Sequence, residues 1–148
     1  MKRKQVQLEC IELPSSEQAS ELNRRFDDYL QTQFPGIAPE SADKLFMLEA
    51  RDESGRLVGG IHANCYWDGL EILTLWVDES LRGQGIGATL VEQAEDYARK
   101  NGAVVAFLKT AEAKVFYQKL DYEVYGVLED RPIGSQLFHM KKRLDVEP

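Results

Sequence analysis

Apolar side chains recur along the chain at two spacings, and the changes from one to the other mark out its elements. Over residues 4–11 apolar and polar positions alternate, which is the period of a strand with one buried face. Ser15-x-x-Gln18 has the form of a capping box, and Ala19, Leu22, Phe26, Tyr29 and Leu30 keep helical spacing until Pro35-Gly36 stops them. Residues 45–51 and Leu57–Tyr66 read as two arms of a hairpin about a turn at 52–55, with Gly59-Gly60 marking a bulge or a close approach. Asp68-Gly69 turns the chain again into residues 70–77, which are apolar enough for a central strand.

After residues 78–85, the stripe Leu90, Val91, Ala94, Tyr97 and Ala98 predicts a helix closed by Asn101-Gly102. A buried strand over 104–109 follows. Ala113, Phe116, Tyr117 and Leu120 then give a short helix, before strands at 122–127 and 136–144. The order is β α β β β α β α β β. Its central strand, helix, strand crossover requires residues 70–77 and 104–109 to be parallel, while the flanking hairpins are antiparallel. The class expected is α+β: a mixed, mostly antiparallel sheet with a parallel central pair and helices packed on it.

Composition narrows the functions open to such a fold. The chain has 148 residues, 43% hydrophobic and 29% charged, without repeats or a composition break, so residues 1–148 are expected to form one domain. The formal charge of −7 disfavours a nucleic-acid partner and favours a cationic small molecule or a basic peptide. Cys10 and Cys65 lack a CxxC context, and His62 and His139 are the only histidines, so neither a disulfide nor a metal site is expected, and both thiols read as buried and reduced. No window approaches the ~18 to 20 apolar residues of a membrane span, and residues 5–9 cannot serve as a signal-peptide core. The expected location is the cytoplasm, with no membrane partner.

Chemistry concentrates between residues 75 and 88. Leu75-Trp76-Val77 ends a strand, and Arg82-Gly83-Gln84-Gly85-Ile86-Gly87-Ala88 leads through alternating glycines into a helix. Free N–H groups at a helix start, reached without side-chain obstruction and assisted by a guanidinium, form a cradle for phosphate oxygens. Gly83 to Ala88 also satisfies the dinucleotide pattern G-x-G-x-x-A. Five residues nevertheless separate it from the strand, and Lys109-Thr110 stands where a ribose-binding carboxylate belongs. No P-loop pattern is present.

Arg82 to Gly87 resembles the R/Q-x-x-G-x-G/A signature of the GNAT superfamily of acyl-CoA-dependent N-acetyltransferases. Leu75-Trp76-Val77 is similar to that family's L-x-V strand, and Ala113-x-x-Phe116-Tyr117-x-x-Leu120-x-Tyr122 to its A-x-x-F-Y-x-x-x-G-[FY] motif. Thr110 stands at the position of a cofactor-contacting asparagine, and Asp121 replaces a glycine of the motif, where it must take a left-handed conformation. The resemblance implies the GNAT fold, with helices on both faces of the sheet, and acetyl-CoA as cosubstrate. It implies cofactor contacts at Leu75, Trp76, Val77, Arg82, Gly83, Gln84, Gly85, Ile86, Gly87, Ala88 and Thr110, with a backbone N–H of Trp76 or Val77 facing the thioester carbonyl.

The reaction implied is direct transfer of acetyl to a primary amine of a small molecule or peptide in a ternary complex. Tyr117 is implied as the acid that protonates the leaving thiolate. Glu71 is the candidate base, four residues before Leu75 as in the histone-acetylating branch. Strand alternation would place it with Leu73, Leu75 and Val77 on one face. A solvated carboxylate beside the Asp68-Gly69 turn is the plainer reading of Glu71, and core packing that of Tyr117. Phe26, Tyr29 and Phe34 are candidates for the rim of an acceptor site. A second copy of the chain, in a homodimer, is carried as a partner expectation. The alternative function is a non-catalytic acyl-CoA-binding regulatory module.

Overall fold

The structure, a computed structural model, describes residues 5–146, so the basic residues 2–4 lie outside it. Contacts divide the chain into two compact units, Met1–Pro39 and Glu40–Pro148.

The first unit is built on one helix, α1 (Ser16–Gln33). Both bonds of the expected capping box form: the Gln18 N–H donates to Ser15 Oγ at 3.1 Å, and the Ser15 N–H to Gln18 Oε1 at 2.9 Å. No α1 side chain is buried. The strand expected over residues 4–11 does not form among the described residues, for 5–11 carry no strand structure and are exposed. Alternation supplies an apolar face, but a strand also needs a neighbour for its backbone N–H and C=O groups, and no described strand pairs with this segment. The expectation of two buried thiols is likewise corrected: Cys65 is buried, Cys10 is exposed, and both are free.

The second unit holds a six-stranded sheet in the order β1-β2-β3-β4-β6-β5. Its strands are β1 (Lys44–Arg51), β2 (Leu57–Tyr66), β3 (Gly69–Val77), β4 (Val105–Thr110), β5 (Glu123–Glu129) and β6 (Gln136–Arg143). All neighbours run antiparallel except β3 and β4, which are parallel as the crossover through α2 (Ile86–Lys100) requires. Leu90, Val91, Ala94 and Ala98 line the buried side of α2 and pack with Ile61, Ala63, Leu70, Ile72, Ala106 and Met140 into one core. A short helix, α3 (Lys114–Gln118), joins β4 to β5. Among the described residues no helix is long and apolar enough to cross a membrane.

Three local features position the site. The turn between β2 and β3 is Trp67-Asp68, both left-handed at φ 48° and 60°, one residue earlier than expected; Gly69 is already in β3. Gly59 and Gly60 mark a close approach, since a Cβ would lie 3.2 Å from the Trp76 carbonyl oxygen or 3.1 Å from that of Leu48. The third feature is a bulge in β3: His62 faces Thr74 and Ala63 faces Ile72, which leaves Leu73 as the extra residue.

Candidate active site

The parallel pairing of β3 with β4 ends early. Gly69, Leu70 and Glu71 face Val105, Ala106 and Phe107, and beyond that rung the two strands have no paired residues. The backbone of β3 from Ile72 to Val77 therefore has a strand neighbour on its β2 side only. The Asp78 N–H donates to the Val58 carbonyl of β2 at 2.8 Å. Because successive residues point their N–H and C=O groups to opposite sides, Trp76 also faces β2, whereas Leu75 and Val77 face the opening. Val77, not Trp76, is thus the residue whose N–H lies on that side.

A cleft of about 520 Å³ runs from this opening. Leu75, Trp76 and Val77 line it from β3, Arg82, Gly83 and Gly85 from the loop, and Ile86, Gly87 and Ala88 from α2, with Glu112, Ala113 and Phe116 opposite. Nine of the eleven expected cofactor-contact positions are thereby brought together. Gln84 is not among the lining residues, and Thr110 belongs to a second cleft.

The loop owes its shape to capping and to glycine. Asp78 caps the 3-10 turn Glu79–Leu81, accepting from the Ser80 N–H at 3.0 Å and the Ser80 hydroxyl at 2.7 Å. The Ser80 hydroxyl is the chief reason its carboxyl titrates below the usual range. Gly83 and Gly85 are left-handed at φ 82° and 85°, and added Cβ atoms would meet nothing within 4 Å. Gly85 is also the N-cap of α2 and contributes no side-chain acceptor, so the first N–H groups of the helix have no capping side chain among the described residues. Arg82 Nε donates to the Val77 carbonyl at 3.0 Å, which ties the guanidinium to the cleft.

The second cleft, of about 400 Å³, shares Leu75, Glu112 and Ala113 with the first and is lined as well by Thr74, Leu108, Thr110 and Tyr117. The short helix α3 brings Tyr117 there. Thr110 Oγ1 accepts from the Ala113 N–H at 3.0 Å and fixes the start of that turn, with the hydroxyl proton left to donate elsewhere. At the other end, Asp121 takes the expected left-handed conformation, φ 72°. Tyr117 is 5% exposed, and its hydroxyl has no hydrogen-bond partner among the described residues. Burial, with a smaller contribution from Glu112, pushes the phenol up to about 12.

Glu71 is half-buried at the last β3–β4 rung and accepts from the Tyr66 hydroxyl at 3.1 Å. Burial first, and Glu71 second, push the Tyr66 phenol up to about 12. The bulge overturns the expected alternation here. With Leu73 inserted, Leu75 and Val77 share the core side with Leu70 and Ile72, and Glu71 falls on the opposite side.

Phe26, Tyr29 and Phe34 lie in the first unit, each more than half exposed. His62 and His139 sit on β2 and β6 away from both clefts' linings. No group of three metal-ligating side chains occurs among the described residues. Glu112, which lines both clefts, is the residue that sequence reasoning missed. Its only signal was its place next to Ala113, the first residue of the short-helix motif.

This architecture, a mixed sheet parted beside a glycine-rich helix start, matches known proteins throughout. The family model described as "Acetyltransferase (GNAT) family" matches residues 7–122. The chain belongs to the GNAT acetyltransferase family, the class of acyl-CoA-dependent N-acetyltransferases. It is similar to blasticidin-S acetyltransferase of Streptomyces morookaense, with 33% identity over 104 residues covering 68% of this chain and 76% of that protein. The crystal structure of an acetyltransferase from Bacillus cereus superposes with a TM-score of 0.79 at 28% identity, covering 91% of this chain and 97% of that one. An aminoglycoside 6'-N-acetyltransferase complexed with coenzyme A shares the fold, with a TM-score of 0.64 at 22% identity over 86% of this chain and 93% of that one.

Proposed function

We propose that this acetyltransferase moves acetyl from acetyl-CoA to a primary amine of a cationic small molecule by direct attack in a ternary complex. The observation that carries this reading is the parting of β3 and β4 beyond Glu71, which leaves the Tyr117 cleft next to the glycine-loop cleft with Leu75 common to both.

The residues fit the cosubstrate. Uncapped N–H groups at Ile86, Gly87 and Ala88, with Gln84 and the left-handed Gly83 and Gly85 before them, suit a pyrophosphate, and Arg82 adds a held positive charge. Acetyl-CoA supplies the activated thioester when bound. The Leu75 and Val77 backbone offers strand-like hydrogen bonds to an extended arm, and the Val77 N–H is the donor assigned to the carbonyl oxygen. Trp76 is among the residues that line the cleft, and Thr110 contributes its hydroxyl proton.

Tyr117 is assigned as the proton donor to the departing sulfur. A phenol pushed up to about 12 is fully protonated at neutral pH, and its hydroxyl has no competing acceptor among the described residues. Glu71 is assigned to receive the amine proton, directly or through one water. Tyr66 holds one of its oxygens, and the other has no hydrogen-bond partner among the described residues.

The acceptor class rests on the net charge of −7 and on the similarity to a blasticidin-S acetyltransferase. Incubation with acetyl-CoA and a panel of blasticidin S, aminoglycosides, polyamines and peptides, read by a 42-dalton mass gain (about 42 from replacing H by acetyl), tests it. Acetylation of a cationic small amine is expected. Tight acetyl-CoA binding with no acetylated product across the panel overturns the reading in favour of a binding module.

A further inference from the structure

One buried ionisable group has no part in that chemistry. Glu95 on α2 is 2% exposed, in the core, at its own cost in lost hydration. The Tyr122 hydroxyl donates to its Oε2 at 2.8 Å, and Lys142 Nζ of β6 meets its Oε1 at 2.9 Å. Lys142 Nζ also lies 5.6 Å from the centre of the Tyr122 ring. Tyr122, 3% exposed, is thus held at its tip by a carboxylate and over its face by an ammonium.

What this clamp holds in turn is Tyr117. The two rings meet edge to face at 5.6 Å and 70°, and the Tyr122 N–H donates to the Tyr117 carbonyl at 3.0 Å. Tyr117 sits on a helix of five residues, too short to be stable by itself, so outside contacts must fix it. Buried ion pairs of this kind seldom add stability over an apolar replacement of the same volume, which points to a role in fixing one arrangement.

We propose that Glu95, Lys142 and Tyr122 act as positioning residues that set the Tyr117 hydroxyl in the β3–β4 opening. The proposal rests on the assignment of Tyr117 as the acid.

A double-mutant cycle of Tyr122→Phe and Tyr117→Phe tests it. Thiol release from acetyl-CoA is followed with the amine acetylated best in the panel above, and with water in its place as a second series. Tyr122→Phe keeps the ring and is expected to lower kcat about 10-fold while the KM for acetyl-CoA changes less than about 2-fold. In the Tyr117→Phe background the same change should cost less than about 2-fold, because the hydroxyl it positions is already gone. Glu95→Gln keeps the shape and an acceptor oxygen, so it should give a smaller fall that also vanishes in that background; it carries the test if Tyr122→Phe fails to fold.

An equal 10-fold fall in both backgrounds would show a general structural role and overturn the proposal. Full turnover of Tyr122→Phe beside an impaired Tyr117→Phe overturns the positioning alone. Full turnover of Tyr117→Phe overturns the acid assignment and the proposal with it.

Discussion

Gly87 and Phe116 close one side of the cleft against each other: a Cβ at Gly87 would stand 3.3 Å from Phe116 Cζ and 3.7 Å from Val77 Cγ2. The first turn of α2 thereby meets α3 without a side chain between them. Gly87→Val should push Phe116 off this seat, cost about 1–3 kcal/mol by overpacking, and weaken acetyl-CoA binding at the same time. Thermal melts with and without acetyl-CoA check both effects.

Gly85 carries a different constraint. Nothing lies within 4 Å of an added Cβ, but φ is +85°, which a β-branched residue resists. Gly85→Val should therefore re-form the loop and lower acetyl-CoA affinity at least about 10-fold with the sheet intact. Unchanged affinity by calorimetry in a folded variant would show the cradle to be misplaced.

Tyr117→Phe preserves the ring contacts with Phe116 and Tyr122 and removes only the hydroxyl. A fall in kcat of about 10-fold to 1000-fold, with acetyl-CoA affinity nearly unchanged, is the expected outcome. Steady-state kinetics with the best acceptor measures it.

Glu71→Gln keeps an oxygen for the Tyr66 hydroxyl but cannot take a proton, so kcat should drop by about 10-fold or more while the acetyl-CoA KM holds. Tyr66→Phe, which frees the carboxylate but leaves it in place, should have the smaller effect. Equal and full activity in both variants would return Glu71 to the role of a strand-end charge.

Alkaline pH should destabilise the fold in a definite window. Tyr66 and Tyr117 titrate near 10 when unfolded and near 12 when folded, so the neutral forms contribute stability that is intact below pH 10 and is lost as pH rises through 12. Between those limits each phenol steepens the decline by up to about 1.4 kcal/mol per pH unit. Tyr117→Phe should flatten the curve of urea midpoint against pH over that range.

The helix starts and the glycine loop were legible in the sequence because their signals are local. Ser15 and Gln18 form the box their spacing predicts, and Asp121 adopts the turn its position demanded. The three loop glycines looked alike as letters, yet Gly83 and Gly85 serve backbone conformation and Gly87 serves packing, a distinction set by Phe116 almost 30 residues further on. The Glu71 face was misjudged because a bulge breaks the period-two count, and nothing in Leu73 itself announces one. The first expected strand failed for a related reason: pairing depends on a neighbour that alternation cannot supply.

Leu73 makes β3 a ruler with one extra mark. Positions before it are counted from the Trp67-Asp68 turn and positions after it from the glycine loop, and the odd residue absorbs the mismatch between the two counts. The same nine residues paired straight through, without the bulge, could satisfy only one end. With Leu70 and Ile72 kept in the core, the Trp76 indole would swing inward and the Val77 amide would turn from the opening toward β2; with Leu75 and Val77 kept in place, Glu71 would be driven into the hydrocarbon interior. The bulge in this strand, and not only its composition, therefore decides which side chains and which amides reach the cleft.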